Sequence, residues 1–431
     1  MLRYTTLRIL LAKAATKDLE VEHVDINIAF LNLDLIKEVY IKVPQFLEEV
    51  YLELREIVDA FLKLNKSLYG LKQAPRAWFY MVKKFFQELG LKSSTADPNL
   101  FTGHGVSILL FVDDMLIVGK RQQVDTMKAK ILKQWKGKDL KAVDTFVGFQ
   151  IVRNRKERTL TIHQSFYTTK LLERLGMDKS NPVALPIPTG TVLKSDDNFL
   201  EGDDITVYRQ IVGSTIFLAN NTRPDISYTV GQLARFMSKP AMIHYQYSKI
   251  LLRYLNGTRE VGITYSNRRG QLPRSYNVWT DATWGTEEDR VSFQGMVVIR
   301  YGGAINWHAQ RQRSTALSSM EAEIMAASEG AKEMAWMEKL TADIEENAPY
   351  TPTLYCDNQG GLEWMKDSKF HNKSKHIGIR YMFVRTDMVE QGRLKVEYIP
   401  GKDQMADILT KQLPGEAFRK HARAMGLNVR G

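Results

Sequence analysis

The stretch ILLFVDDMLIVGK, residues 108–120, carries two adjacent aspartates, Asp113 and Asp114, between two apolar runs. ILLFV and MLIVG read as short buried strands, and the acidic pair between them reads as a tight hairpin turn. Two carboxylates on a rigid turn can share divalent metal ions, which phosphoryl-transfer chemistry uses. Asp is also a common turn residue for purely structural reasons. The meaning of the pair therefore depends on the rest of the chain.

Upstream, EVEHVDINIAF has strand character that ends near Asp25. Three carboxylates from two adjacent strands would hold two divalent ions. Between Asp25 and the pair lies SLYGLKQAPRAW, residues 67–78. Gly70 permits close backbone approach to a ligand there, and Lys72 and Arg76 supply positive charge. A structural turn with Pro75 before a helix explains the same residues equally well. EVYIKV reads as a further strand, WFYMVKKFFQELG as a helix closed by glycine, and VDTMKAKILKQWK as a basic amphipathic helix. Strands and helices mixed in this way suggest an α+β layer from about 20 to 149.

Beyond it, FQIVRNRKERTLTIHQ reads as a strand pair with a basic turn. Residues 181–206 are rich in Pro, Gly and Asp and read as a linker. Helical patterns dominate from Tyr208 to Asn256, and a second break falls at 266–277. From Val278 to about Leu413 a separate α/β domain is readable, with acids in four elements. Asp281 ends the strand NVWTDATWG. Glu323 lies in the first two turns of a long helix whose start is fixed by a Ser318–Glu321 capping box. Asp357 ends the strand TLYCD, and Asp407 sits on a helix after VEYIPGKDQM. Two strand ends and two helix starts can bring these acids together. Four like charges are costly to assemble without cations, so such a cluster implies bound metal.

The 431 residues suffice for two or three domains. A net charge of +11 suggests a polyanionic partner, nucleic acid first. The basic run Lys128, Lys130, Lys133, Lys136, Lys138 and Lys141 could track a phosphate backbone, or be a solvated face. One cysteine, Cys356, excludes a disulfide within the chain and fits a reducing compartment; its apolar setting suggests a buried structural thiol. No apolar run approaches the roughly 20 residues that span a bilayer. TTLRILLAKAATKD reads as an amphipathic helix. His371 and His376 lack a Cys/His cluster at zinc spacing.

DINIAFLNLDLIKEVYIKVP, NKSLYGLKQAPRAW and FVDDMLIVG, in this order, resemble the palm motifs of the reverse transcriptase of Ty1/copia-type LTR retrotransposons. The C-terminal pattern resembles the ribonuclease H domain of the same elements. The resemblance implies an α+β palm-type polymerase domain with truncated fingers, a helical connection, and an α/β ribonuclease H-like domain. It makes Asp25, Asp113 and Asp114 the polymerase metal ligands and Asp281, Glu323, Asp357 and Asp407 those of the nuclease. The implied ion is Mg²⁺, with Mn²⁺ as the alternative. Phe30 matches the bulky residue that excludes a ribose 2′-OH. Gly70, Lys72 and Gln73 match the loop near the incoming nucleotide.

Implied partners are an RNA template, a DNA primer, an RNA–DNA hybrid and deoxynucleoside triphosphates. No membrane is implied, and the expected location is cytoplasmic or nuclear rather than secreted. The expected domains are 1–180 for the palm with partial fingers, 181–265 for linker and connection, 272–415 for the nuclease, and 416–431 as a tail. Leu33 stands where the family usually has Gly, Phe111 where Tyr is commoner, and Thr283 where a second acid is usual. The family's fingers segment precedes TTLRILLAKAA, so polymerisation is expected to be weaker than hybrid cleavage. The alternative reading is a retroelement fragment that binds nucleic acid or cleaves hybrids without polymerising.

Overall fold

The computed structural model describes residues 2–35, 37–44, 47–51, 61–266, 276–285, 290–345, 351–366 and 382–429. It divides into two compact units, one of residues 1–2 and 20–143, the other of 3–19 and 144–431.

The first unit is built on a six-stranded sheet in the order β4-β5-β6-β7-β1-β8. Its strands are β1 (Glu20–Ile26), β4 (Lys92–Ser93), β5 (Leu100–Gly103), β6 (Val106–Phe111), β7 (Asp114–Gly119) and β8 (Gly137–Ala142). A separate pair joins β2 (Tyr40–Lys42) to β3 (Phe61–Lys63), and a short helix α2 (Leu47–Val50) lies between them in sequence. Helix α3 (Ala74–Glu88) buries Ala74, Trp78, Val82 and Phe86, a stripe at helical spacing. Helix α4 (Arg121–Gln134) buries Val124, Met127 and Ile131. Both pack into one core with Val24 and Ile26 of β1, Ile108 and Leu110 of β6, and Met115 and Ile117 of β7. Fully burying one such side chain contributes roughly 1.5–3 kcal/mol. Strand alternation then sends His23, Asp25 and Asp114 to the opposite face.

Two details differ from the sequence expectation here. Phe111 and Asp114 are ladder partners, so only Val112 and Asp113 form the turn and Asp114 begins β7. Lys128 is not a free backbone-tracking cation, because Glu22 and Asp139 pair with it at 2.8 and 3.0 Å.

The second unit contains two sheets. One runs β12-β11-β10-β9, formed by β9 (Thr145–Phe146), β10 (Phe149–Asn154), β11 (Thr159–His163) and β12 (Ile263–Ser266). The other runs β15-β14-β13-β16-β17, formed by β13 (Asn277–Thr283), β14 (Phe293–Arg300), β15 (Gly303–Arg311), β16 (Thr353–Cys356) and β17 (Lys395–Tyr398). Its first three strands are antiparallel, and β16 and β17 join β13 in parallel. Helices α5 (Ser165–Arg174), α6 (Asp203–Asn221), α7 (Ser227–Ala234) and α8 (Met242–Gly257) belong to this unit. So do α9 (Ser319–Ile344), α10 (Gln359–Lys366) and α11 (Gly415–Ala424). Among the described residues, no helix is long and apolar enough to cross a membrane.

The opening helix α1 (Tyr4–Lys17) also belongs to the second unit, against β11, β12 and β15. It is buried nearly all round rather than amphipathic. Arg8 is 2% exposed, and its guanidinium donates to the carbonyls of Asn220, Asn221 and Ile305 while stacking over the Trp307 ring. A domain of 1–180 therefore does not match the packing: α1 and residues 144–180 side with the second unit. Residues 416–431 were expected to be a tail. Instead α11 packs Phe418 and Ala422 inward, and Leu427 bridges to Ile263. Burial partners far away in sequence decide both cases.

Candidate active site

The first three acids lie where β1 meets the β6–β7 hairpin, but among the described residues their ligand atoms are not drawn within 4.8 Å of one another as those of the second group are. Asp25 and Asp114 are direct partners in the antiparallel β1–β7 register. Asp113 precedes Asp114 in the turn, and its carbonyl accepts the Ile26 N–H at 2.9 Å. Val112 takes a φ of 56° there, a region that disfavours a β-branched residue. Its carbonyl accepts the Trp78 indole N–H at 2.5 Å. The hairpin thus stays in a strained shape because α3 holds it, as strained residues at functional sites generally are held.

Two side chains that the sequence reading did not single out touch these acids. His23 Nε2 lies 2.6 Å from Asp114 Oδ1. The Tyr69 hydroxyl donates to Asp113 Oδ2 at 3.0 Å. Burial and this bond to Asp113 raise the Tyr69 pKa. His23 was legible as the same-face neighbour two residues before Asp25; Tyr69 was inside the quoted SLYGLKQ loop.

Phe30 is 5% exposed, with its ring centroid 4.5 Å from that of Tyr69. Gly70 has φ 98°, so the loop turns through a conformation that suits glycine, with open space around it. Lys72 and Gln73 are exposed at the start of α3.

The second group lies in the other unit. Asp281 is inside β13, two residues before its end rather than at it. Glu323 faces inward from the first turns of α9, where the Ala282 N–H reaches its Oε1 at 3.4 Å. The expected cap is present: Ser318 Oγ accepts the Glu321 N–H at 3.1 Å, while the Glu321 carboxylate accepts the N–H of Leu317 at 2.7 Å. That leaves Glu323 as the acid available to the cluster. Asp357 follows β16. The helix expected to bear Asp407 is a short 3₁₀ helix, Met405–Leu409.

Ligand atoms of Asp281, Asp357 and Asp407 lie within 4.8 Å of one another, as do those of Glu323, Cys356 and Asp357. All four predicted acids therefore share one cluster through Asp357. Thr410 donates its hydroxyl to Asp281 Oδ2. Lys411 Nζ stands 2.8 Å from Asp407 Oδ1 and 4.0 Å from Asp281 Oδ2. Thr410 and Lys411 were missed from sequence, although the four-residue step from Asp407 to Lys411 is an ion-pair spacing. Gly295 on β14 makes room for this turn: a Cβ there would lie 2.7 Å from Leu409 Cβ.

The electrostatics follow from burial and like charge. Burial, then Asp281 and Asp357, push Glu323 well above the carboxylate range. Burial, then Asp281, raise Asp357 and push Asp407 up to about 7. Cys356 is fully buried, 3.9 Å from Glu323 Oε2, and burial first and Glu323 second raise its thiol. It belongs to the edge of this cluster rather than to the core alone. A carboxylate set in which burial and like charge raise Glu323, Asp357 and Asp407 fits a divalent cation. His371 and His376 lie outside the described residues.

The family described as reverse transcriptase (RNA-dependent DNA polymerase) matches residues 1–189. The chain is 34% identical to the retrovirus-related Pol polyprotein from transposon TNT 1-94 of Nicotiana tabacum, covering 99% of this chain and 32% of the polyprotein. A Ty5-1 transposon protein of Saccharomyces cerevisiae is 30% identical over 72% of this chain and is covered completely. The chain belongs to the Ty1/copia-type retrotransposon reverse transcriptase family. It spans about a third of the length of the tobacco relative. Among solved structures, the N-terminal RNase H domain of a Mycobacterium tuberculosis protein, fused to maltose-binding protein, is 15% identical over 36% of this chain. Its TM-score of 0.24 is too low to bear on the fold. In this family member, the matched segment holds Asp25, Asp113 and Asp114, while the four-acid cluster lies beyond it.

Proposed function

We propose that the chain is an RNA-directed DNA polymerase joined to a nuclease that cuts the RNA strand of RNA–DNA hybrids. The observation that carries the nuclease half is the cluster of Asp281, Glu323, Asp357 and Asp407 on a β15-β14-β13-β16-β17 sheet. Four separate elements deliver four buried or half-buried acids to one spot. A solvated surface carboxylate explains each alone but not their convergence.

The polymerase half is supported by the family membership and by Asp25 opposite Asp114 with Asp113 beside them. The β1 strand and the β6–β7 hairpin over α3 and α4 are read as a polymerase palm. Phe30, Gly70, Lys72 and Gln73 are read as the nucleotide-facing loop.

Asp25, Asp113 and Asp114 would hold divalent ions at one centre, and Asp281, Glu323, Asp357 and Asp407 at the other, Mg²⁺ being the expected ion. When bound, such ions activate the attacking oxygen and stabilise the leaving one. The protein's own part is placement. β-Ladder pairing fixes Asp25 and Asp114, His23 and Tyr69 orient two of the three carboxylates, and Thr410 orients Asp281. The proposed partners are an RNA template with a DNA primer and deoxynucleoside triphosphates at the first centre, and a hybrid duplex at the second. The net charge of +11 suits both.

The test is one incubation of the purified chain with a primed RNA template and a labelled hybrid, in Mg²⁺ or chelator. Extension lost in Asp113→Asn and cleavage lost in Asp281→Asn support the two halves separately. Cleavage without any extension would leave hybrid cutting as the whole activity.

A further inference from the structure

Lys411 is a cation inside an anionic cluster. Its ammonium is 2.8 Å from Asp407 Oδ1 and 4.0 Å from Asp281 Oδ2. Those carboxylates belong to residues only 8% and 3% exposed, whereas the Lys411 side chain is 43% exposed. The anions are fixed inside and the cation reaches them from the rim. The backbone explains why it can. Lys411 N–H donates to the Asp407 carbonyl at 3.0 Å, closing a turn that puts the lysine stem directly over the aspartate. Thr410, between them, holds Asp281 from the same turn. One short segment therefore presents an acid, a hydroxyl and an ammonium to a single spot.

We propose that Lys411 is a resident counter-cation that holds Asp281 and Asp407 together in the metal-free chain and is displaced when a divalent ion arrives. This rests on reading the cluster as a metal centre, but not on the hybrid being its substrate. An ammonium that occupies Asp407 Oδ1 competes with a divalent ion for that same oxygen and repels it at short range. The flexible four-carbon stem of lysine lets the ammonium leave without moving the turn. Lys411 is thus a positioning residue: it keeps the anions spaced for an incoming ion and sets the ion concentration at which they are taken over.

The test reads metal binding, not turnover. In a chain carrying Asp113→Asn and Asp114→Asn to silence the other centre, Lys411→Met is titrated with Mg²⁺ by calorimetry. Removing the competitor is expected to tighten binding by roughly fivefold or more, the low end of ordinary coupling between two sites. Lys411→Arg keeps the charge and is expected to bind near the unsubstituted level. Weaker or unchanged binding in Lys411→Met overturns the proposal.

A second measurement needs no substitution at 411. The unmutated chain is acylated at its amines with and without Mg²⁺, and peptides are quantified by mass spectrometry. Lys411 labelling is expected to rise several-fold with Mg²⁺ relative to exposed Lys402. Labelling that is unchanged or falls overturns the proposal. If hybrid is never cut but Lys411 is released by Mg²⁺, the inference stands and the nuclease reading fails.

Discussion

Asp25 and Asp114 face each other across the β1–β7 ladder, and His23, two residues before Asp25, reaches over to Asp114 Oδ1 at 2.6 Å. The strand period of two puts His23 and Asp25 on one face. The antiparallel register puts Asp114 opposite Asp25. Three polar groups are therefore aligned by backbone hydrogen bonds before any ligand is present.

Removing the imidazole should loosen Asp114 without unfolding the strand. His23→Ala is expected to lower primer-extension kcat by about 10–100-fold, the usual effect of losing a partner that orients a metal ligand. His23→Gln, which keeps a donor, should recover most of it. Equal extension by His23→Ala and the unmutated chain would show that Asp114 needs no support.

Gly137 is the neighbour that lets β8 approach β1. A Cβ at that position would sit 2.6 Å from the Asp25 carbonyl, so something must shift. Gly137→Ala is expected to cost on the order of 1–3 kcal/mol of stability, as overpacking usually does. It should also reduce extension, because the strand that moves carries Asp25. Denaturant unfolding and extension kinetics check the two effects.

Arg8 ties α1 into the second unit. Its three carbonyl partners and the Trp307 ring have no substitute cation in Arg8→Met. Desolvation lowers the Arg8 pKa to about 10, which still leaves it charged at neutral pH. The substitution is expected to destabilise by about 2–5 kcal/mol, the range for breaking a buried charged network. Hydrogen exchange should show the loss around β11, β12 and β15. Loss confined instead to β1 and β6–β7 would contradict the packing.

The acidic cluster makes a pH prediction for the metal-free chain. Asp407 is raised from 3.8 to about 7, chiefly by burial and then by Asp281, and Asp357 and Glu323 are raised for similar reasons. The folded state then binds more protons than the unfolded state between about pH 4 and 7, so stability falls as pH rises through that window. Asp407→Asn should flatten the fall by roughly 2–4 kcal/mol across the window. Unfolding in chelator at pH 5 and pH 7.5 measures it. Stability that rises with pH in the unmutated chain, and equally in Asp407→Asn, would contradict it.

Much of the site was legible because its residues obey local rules. The β6–β7 hairpin shows as two apolar runs around Asp113 and Asp114, and the Ser318–Glu321 cap freed Glu323 for the cluster. What was not legible depends on distant partners. Nothing in TTLRILLAKAATKD says that Arg8 will meet carbonyls some 212 to 297 positions away. The 3₁₀ turn under Asp407 follows from close packing on Gly295, which no periodicity reveals. Tyr69 and Lys411 are common residue types whose role appears only when a fold sets them against an acid.

The most direct measurement is cleavage of a labelled RNA–DNA hybrid by the purified chain and by Asp281→Asn. The account predicts that the RNA strand is cut in Mg²⁺, spared in chelator, and cut at least about a hundredfold more slowly by Asp281→Asn. Absence of cutting by the unmutated chain, or equal cutting by Asp281→Asn, would contradict it.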